Sequence, residues 1–232
     1  MLAKTNYCIT DELLCQAQSN IPDVDFKLTI NKPTGNFFYD PWTIKEEYID
    51  TVWEQLLNTL PIDIQFGEAR IIALEPTKCY TCHADIDDRY HLNLEGSLSY
   101  LIDLTSQTMY PLIQDGYWYT LDAGLLHSAA NFGDQTRYQL VVRKLLKHNT
   151  LMFNRINVSI KPNIDTYNHR YMIDQYISPW LNIANKHGVM DNFKIVDEYS
   201  CNFDMNSNYL DTLEDIVPKQ FDIIHAGDNK DE

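Results

Sequence analysis

The chain lacks several features that would place it in a common class of protein. It has no apolar run long enough to span a bilayer, and its first residues contain no apolar core of a secretory signal. Five cysteines are an odd number and too few for a disulfide scaffold in 232 residues, so reduced thiols are expected. Together these absences predict a cytoplasmic protein that is not inserted in a membrane.

Positive charge is also scarce, since 18 Lys and Arg residues stand against 33 Asp and Glu residues and the net charge is −15. A surface of this charge repels nucleic-acid phosphates and anionic lipid headgroups, so neither is expected as a partner. With 44% hydrophobic and 12% aromatic residues, the chain can form a proper core. There is no repeat, low-complexity tract or clear linker, so one domain over residues 1–232 is predicted.

The hydrophobic pattern divides this chain into three parts. The flank before about residue 62 is predicted to be helical, with its clearest helix at Thr43–Leu60, where Thr43 and Glu46 fit a capping box. Residues 62–147 form the predicted core, where short alternating segments separated by turn residues indicate a mainly β sandwich or jelly-roll barrel. The extension over 148–232 is less regular and includes a predicted helix at Tyr167–His187, kinked or split by Pro179.

Polar side chains recur on one face of two predicted strands. In RYHLNLE (Arg89–Glu95), Arg89 and His91 share a face opposite the apolar residues between them. In the strand that starts at Arg137, Arg137 and Gln139 are again opposite apolar neighbours. A polar face on half-buried strands indicates that the interior of the barrel is a site and not only a packed core.

Two histidines and one aspartate have the composition of a metal centre. His83 and Asp85 form an H-x-D pair, and residues i and i+2 of an extended segment point the same way. His127 lies 44 positions after His83, far enough for intervening strands to bring it back. Two imidazoles and one carboxylate form the facial triad that holds non-haem Fe(II) and leaves positions open for a co-substrate and O₂.

The segment CYTCH (Cys79–His83) has a competing interpretation, because it matches the C-x-x-C-H signature of c-type haem attachment. That attachment requires export, for which the sequence shows no signal. Cys79 and Cys82 could instead form half of a zinc site or a redox pair, but no second C-x-x-C completes a structural zinc.

Arg137 has a specific role available in such a site. A dicarboxylic keto acid that chelates iron through its 1-carboxylate and 2-oxo groups leaves its far carboxylate deeper in the barrel. Arginine supplies a permanently charged, bidentate donor for that group. Arg89 and His91, on the inward face of their strand, are candidates for further contacts with the same co-substrate.

The run from Ala69 to Arg143 resembles the aspartyl/asparaginyl β-hydroxylase family of Fe(II)/2-oxoglutarate oxygenases, including its bacterial proline cis-4-hydroxylase branch. The matching pieces, in order, are ARII, HAD, RYHLNL, GYWYTLDA, LHSA and RYQLVV, about a third of the chain. The resemblance implies a double-stranded β-helix, a cupin-like jelly roll with helices packed on one sheet.

The same resemblance implies roles for individual residues. His83, Asp85 and His127 would be the iron ligands and the catalytic residues. Arg137 would bind 2-oxoglutarate, with Arg89 and His91 lining the pocket. The implied cofactors are Fe(II), 2-oxoglutarate and O₂, with ascorbate as a reductant in vitro. The implied substrate is an amino acid, or an Asp, Asn or Pro side chain of a peptide or protein.

Two other classes of function stay open from sequence. One is a cupin-type metalloenzyme that uses another divalent metal for isomerisation or thiol oxidation and has no need of Arg137 in the barrel. The other is a non-catalytic jelly-roll binding protein. The substrate and the oligomeric state have no signal in the sequence.

Overall fold

Antiparallel sheets dominate the computed structural model, which describes residues 1–61, 64–163, 173–197 and 199–225. The chain forms two compact units. The first contains Met1–Cys82 and Asp87–Leu145, and the second contains His83–Ile86 and Leu146–Glu232. The short segment His83–Ile86 therefore interrupts the first unit in sequence. The single domain expected over residues 1–232 stays a prediction.

The first unit contains eleven strands among its described residues, two short α-helices and a 3₁₀ turn. The helices are α1 (Asp11–Ser19) and α2 (Val52–Leu57), and the 3₁₀ turn is Glu46–Tyr48. The strands are β1 (Leu2–Cys8), β2 (Lys27–Thr29), β3 (Asn31–Pro33), β4 (Trp42–Ile44), β5 (Phe66–Leu74), β6 (Arg89–Glu95), β7 (Ser99–Asp103), β8 (Thr108–Pro111), β9 (Tyr117–Leu121), β10 (His127–Asn131) and β11 (Arg137–Lys144).

Strand order identifies the fold of this unit as a jelly roll. One sheet has the order β1-β9-β6-β11-β5-β2, and a smaller sheet has the order β10-β7-β8. An isolated antiparallel bridge between Cys79 and Ala130 adds one more strand position beside β10. From β5 onward the chain alternates between the two sheets except at the β7–β8 hairpin, as a double-stranded β-helix does, with β9-β6-β11-β5 in one sheet and Cys79-β10-β7-β8 in the other. The predicted fold class is confirmed.

The two faces of the larger sheet differ as their sequences predict. Tyr90, Leu92 and Leu94 of β6 lie in a hydrophobic cluster with side chains of α1 and α2. Burying each such side chain contributes roughly 1.5–3 kcal/mol. The opposite face carries Arg89 and His91, together with polar residues of β11. The helices therefore cover the apolar face, and the polar face is left for a site.

The predicted helix at Thr43–Leu60 is wrong. Thr43 and its neighbours form β4, which pairs with β3, and only Val52–Leu57 is α-helical. Asp50 has a positive φ of 58° that interrupts any continuous helix, and Thr51 rather than Thr43 caps α2 by accepting a hydrogen bond from the Trp53 amide. The N-terminal flank also contributes strands, since β1 pairs with β9 in the main sheet.

The second unit has its own sheet, in the order β13-β14-β12-β15. Its strands are β12 (Arg155–Pro162), β13 (Met190–Ile195), β14 (Cys201–Asn206) and β15 (Phe221–His225). Its α-helices are α3 (Ser178–Lys186) and α4 (Leu210–Ile216), with a π-turn at Ile173–Ile177 and a 3₁₀ turn at Ser207–Tyr209. The helix predicted at Tyr167–His187 is observed from the π-turn onward, and residues 167–172 lie outside the described residues. None of the helices described is long and apolar enough to cross a bilayer.

Candidate metal and anion site

The H-x-D pair lies in the segment that precedes β6. His83 Nε2 is 3.7 Å from Asp85 Oδ2, so both side chains point the same way. Two hydrogen bonds hold this segment within the second unit. The Ala84 amide donates to the Asp174 carbonyl at 3.1 Å, and the buried Asn182 side-chain amide donates to the Asp85 carbonyl at 3.3 Å. The backbone that presents the two ligand candidates is therefore anchored at consecutive residues.

His127 is the first residue of β10 and is buried, with 4% of its surface exposed. Its Nδ1 lies 2.8 Å from the Leu125 carbonyl oxygen, which can only accept, so Nδ1 carries the proton. The lone pair is then on Nε2. A metal-binding histidine commonly donates its other ring N–H in this way, which sets both the tautomer and the ring orientation.

The structure brings His83, Asp85 and His127 together. Each offers one ligand atom, and these atoms all lie within 4.8 Å of one another. Two imidazole nitrogens and one carboxylate oxygen suit a divalent first-row metal, and three protein ligands leave positions open for other ligands. Cys79 and Cys82 do not belong to this group, and all five cysteines are free thiols.

Arg137, the first residue of β11, is buried with 1% of its surface exposed. Its Nη2 donates to the Tyr80 hydroxyl at 3.2 Å, while Nε and Nη1 are buried without a hydrogen-bond partner among the described residues. Burial lowers the pKa of Arg137, and the nearby Tyr80 partly offsets the effect. A buried cation with unused donors is costly, so its environment favours a bound anion.

His91 lies on the same sheet face, opposite Val141 of β11 and Tyr119 of β9. It is 7% exposed, and its Nε2 has no hydrogen-bond partner in the described part of the chain. Burial is the main cause that holds the pKa of His91 well below its usual range, with contributions from the guanidinium groups of Arg89, Arg137 and Arg70. His91 is therefore a neutral imidazole at pH 7.

Arg89 is in a different environment from Arg137. It pairs in register with Arg143, six residues along β11 from Arg137, which is roughly 20 Å of strand. Arg89 Nε lies 3.2 Å from Asp87 Oδ1, and Arg143 also binds this buried carboxylate. Burial alone would raise the pKa of Asp87, but Arg143 and Arg89 outweigh it and lower the pKa. Arg89 and Arg137 thus do not form one cluster.

Three residues that contribute to these arrangements had no role in the sequence interpretation. Tyr80 contacts Arg137, and Asn182 and Asp174 hold the H-x-D segment. Tyr80 lies inside CYTCH, at a position that the C-x-x-C-H motif leaves unspecified, so the motif does not point to it. Asn182 and Asp174 are about 90 positions or more from Asp85 in a region without a motif, so no local pattern points to them.

Gly96 makes room for Arg137, and its replacement by alanine is expected to be destabilising. Gly96 has a φ of 119°, and a Cβ there would lie 2.9 Å from both Cα and Cβ of Arg137. Strain of this kind costs of order 1–3 kcal/mol in the free energy of unfolding, to be measured by urea denaturation. Gly67→Ala is a suitable control, since the nearest atom to its new Cβ would be the flexible end of Leu145 at 3.3 Å, and Arg143 would lie at ordinary van der Waals distance. Equal stability of the two variants would contradict this account.

Stability should depend on pH through His91. In the unfolded chain His91 takes up a proton near pH 6.5, whereas its lowered pKa keeps it neutral in the fold. As the pH falls below 6.5, the unfolded state binds one more proton, so the free energy of unfolding drops by up to about 1.4 kcal/mol per pH unit. Urea denaturation of metal-free protein between pH 7 and 5 should show a shallower slope for His91→Gln. An unchanged slope would mean that His91 is protonated in the folded protein.

The site lies in a region that is similar to a known family. Residues 50–145 match the family model described as aspartyl/asparaginyl beta-hydroxylase, which confirms the predicted resemblance and points to a hydroxylase. The matched region contains β5 to β11 and all six predicted site residues. A comparison with curated proteins finds no match.

Matches among solved structures include a viral collagen prolyl hydroxylase from Paramecium bursaria Chlorella virus-1, in a 2OG complex. It is 11% identical, with 63% of this chain and 96% of that chain covered and a TM-score of 0.40. Another is a cupin domain from Bordetella pertussis, 17% identical, with 36% and 85% covered and a TM-score of 0.31.

Proposed function

We propose that the protein is an Fe(II)/2-oxoglutarate-dependent dioxygenase that hydroxylates an amino acid, or an Asp, Asn or Pro side chain of a peptide or protein. The buried guanidinium of Arg137 carries the proposal, because Nε and Nη1 have no partner among the described residues. A cupin-type metalloenzyme of another chemistry has no use for a buried cation in the barrel. The distal carboxylate of a dicarboxylic keto acid would accept hydrogen bonds from these two nitrogens of Arg137.

His83, Asp85 and His127 would hold the metal. The donor set fits Fe(II), and the bond from His127 Nδ1 to the Leu125 carbonyl presents Nε2 to the ion. The chemistry that bound iron, 2-oxoglutarate and O₂ supply is decarboxylation of the keto acid to succinate and CO₂, coupled to hydroxylation of a substrate C–H bond. The protein contributes binding, orientation and exclusion of water.

Arg137 would bind the distal carboxylate of 2-oxoglutarate through its free N–H groups. Ile72 and Leu74 of β5 lie on the same sheet face and are buried, so they limit water around that ion pair. His91, neutral and buried, is assigned to the wall of the same pocket. Arg89 is assigned to the other end of this face, at the start of β6, where it is paired with Asp87.

The proposal is tested by adding 2-oxoglutarate to the Fe(II)-loaded protein without oxygen. A visible metal-to-keto-acid charge-transfer band is expected, and under air with ascorbate the same protein should form succinate slowly without a substrate. A band without succinate would indicate tight coupling to an absent substrate. If neither band nor succinate appeared, the oxygenase assignment would be wrong, and another cupin metalloenzyme or a non-catalytic binding protein would replace it.

A further inference from the structure

Tyr80 is the one described side chain that shares a hydrogen bond with the buried Arg137. The Arg137 guanidinium carbon also lies 5.5 Å from the centre of the Tyr80 ring. Tyr80 is partly buried, in the strand position that the Cys79–Ala130 bridge adds to the smaller sheet. Its phenol and the guanidinium therefore meet across the interior of the jelly roll, between the two sheets of the first unit.

The direction of this hydrogen bond leaves the phenol with a free donor. A guanidinium nitrogen has no lone pair to accept with, so Arg137 Nη2 donates and the Tyr80 oxygen accepts. The Tyr80 O–H proton must then point elsewhere, and no acceptor for it is found in the described part of the chain. Together with Nε and Nη1 of Arg137, the phenol supplies a third unused donor at one place.

The phenol is held firmly by the strand that carries a metal-ligand candidate. The Tyr80 amide donates to the Ala129 carbonyl at 2.9 Å, and the Ser128 hydroxyl donates to the Tyr80 carbonyl at 2.7 Å. The Phe26 ring packs edge-on against Tyr80 at 5.9 Å between centroids. Since Ser128 and Ala129 directly follow His127 in β10, one short piece of strand fixes the position of Tyr80 relative to His127.

We propose that Tyr80 is a specificity-determining residue for the co-substrate, whose phenol donates a hydrogen bond to the terminal carboxylate that Arg137 binds. This inference rests on the proposed function and adds a second, independent donor to it. The fixed span from His127 to Tyr80 selects a keto acid of one length that ends in a carboxylate. A keto acid of equal length with a methyl terminus has no acceptor there and forms no hydrogen bond with the phenol.

The test compares Tyr80→Phe with the unchanged protein by calorimetric titration of Zn(II)-loaded protein, which reports binding without turnover. The two titrants are 2-oxoglutarate and 2-oxovalerate, which has the same chain length but no distal carboxylate. The Kd for 2-oxoglutarate should rise about 10- to 100-fold in Tyr80→Phe, because one hydrogen bond to a charged group is lost. The Kd for 2-oxovalerate should stay the same.

Tyr138→Phe is the matched control, because Tyr138 follows Arg137 directly but packs on the opposite, helix-covered face of the sheet. It should change neither Kd. Equal weakening of both keto acids in Tyr80→Phe would assign Tyr80 a structural role and overturn the inference, as would an unchanged Kd for 2-oxoglutarate. If the unchanged protein bound neither keto acid, the proposed function itself would fail.

Discussion

Replacing His127 by alanine is expected to lower succinate formation from 2-oxoglutarate at least ~100-fold. Loss of a group that merely orients a metal ligand commonly costs 10- to 100-fold in metal affinity or activity, and the loss of the ligand itself should exceed that. His127 is also the most buried member of the triad, so water cannot reach the vacated position as easily as at His83. Succinate assays and Fe(II) titrations of the purified variant measure the two effects separately.

Two further variants make this experiment decisive. Asp85→Asn removes the charge of a partly exposed ligand candidate with little change of shape, so it tests the site without emptying a buried position. His187→Ala removes an exposed histidine at the end of α3 in the second unit and should retain full activity. Fe(II) affinity that is unchanged in both His127→Ala and Asp85→Asn would rule out this triad as the metal site.

Arg137→Met is expected to change affinity and stability in opposite directions. The variant should bind 2-oxoglutarate roughly 100-fold or more weakly, because a carboxylate placed in this buried pocket would have lost its charged partner. The metal-free protein should nevertheless become more stable, by about 1–3 kcal/mol. Arg137 is a buried cation with a single described hydrogen bond, and a methionine of similar length carries no such desolvation cost.

These effects are measured by calorimetric titration of 2-oxoglutarate and by urea denaturation without metal. Arg155→Met is the control, since Arg155 lies in the second unit, is partly exposed and already pairs with Asp204. It should not change the affinity for 2-oxoglutarate. If Arg137→Met lowered stability as well as affinity, Arg137 would be a structural residue and not part of an anion-binding site.

The predictions that rested on side-chain alternation agree best with the structure. The residues of β6 alternate between a helix-packed apolar face and a polar face, as their period of two requires. The faces of β11 follow in the same way. Such a pattern is local, because neighbouring residues of any strand point to opposite sides whatever the strand pairs with.

The prediction of a helix at Thr43–Leu60 failed because a local capping pattern competed with the pairing of two strands. Thr43 and Glu46 fit a capping box, but the pairing of β4 with β3 makes Thr43 part of a strand. Ile44 and Tyr48 lie within the predicted helix, and both still pack against the core, from β4 and from the 3₁₀ turn. Apolar spacing thus predicted burial correctly and conformation incorrectly.

The sequence by itself determined the kinds of group available and the side of the sheet on which they lie. It contained the H-x-D pair, the distal His127 and Arg137, and a polar face on the strand that bears His91. Tertiary structure alone decided which of them meet. Only folding places His127 near His83 and Asp85, sets the phenol of Tyr80 against Arg137, and brings Arg143 to Asp87 at the far end of the sheet face. These contacts depend on strand register and on which strands are neighbours, and neither is encoded in the local pattern of residues.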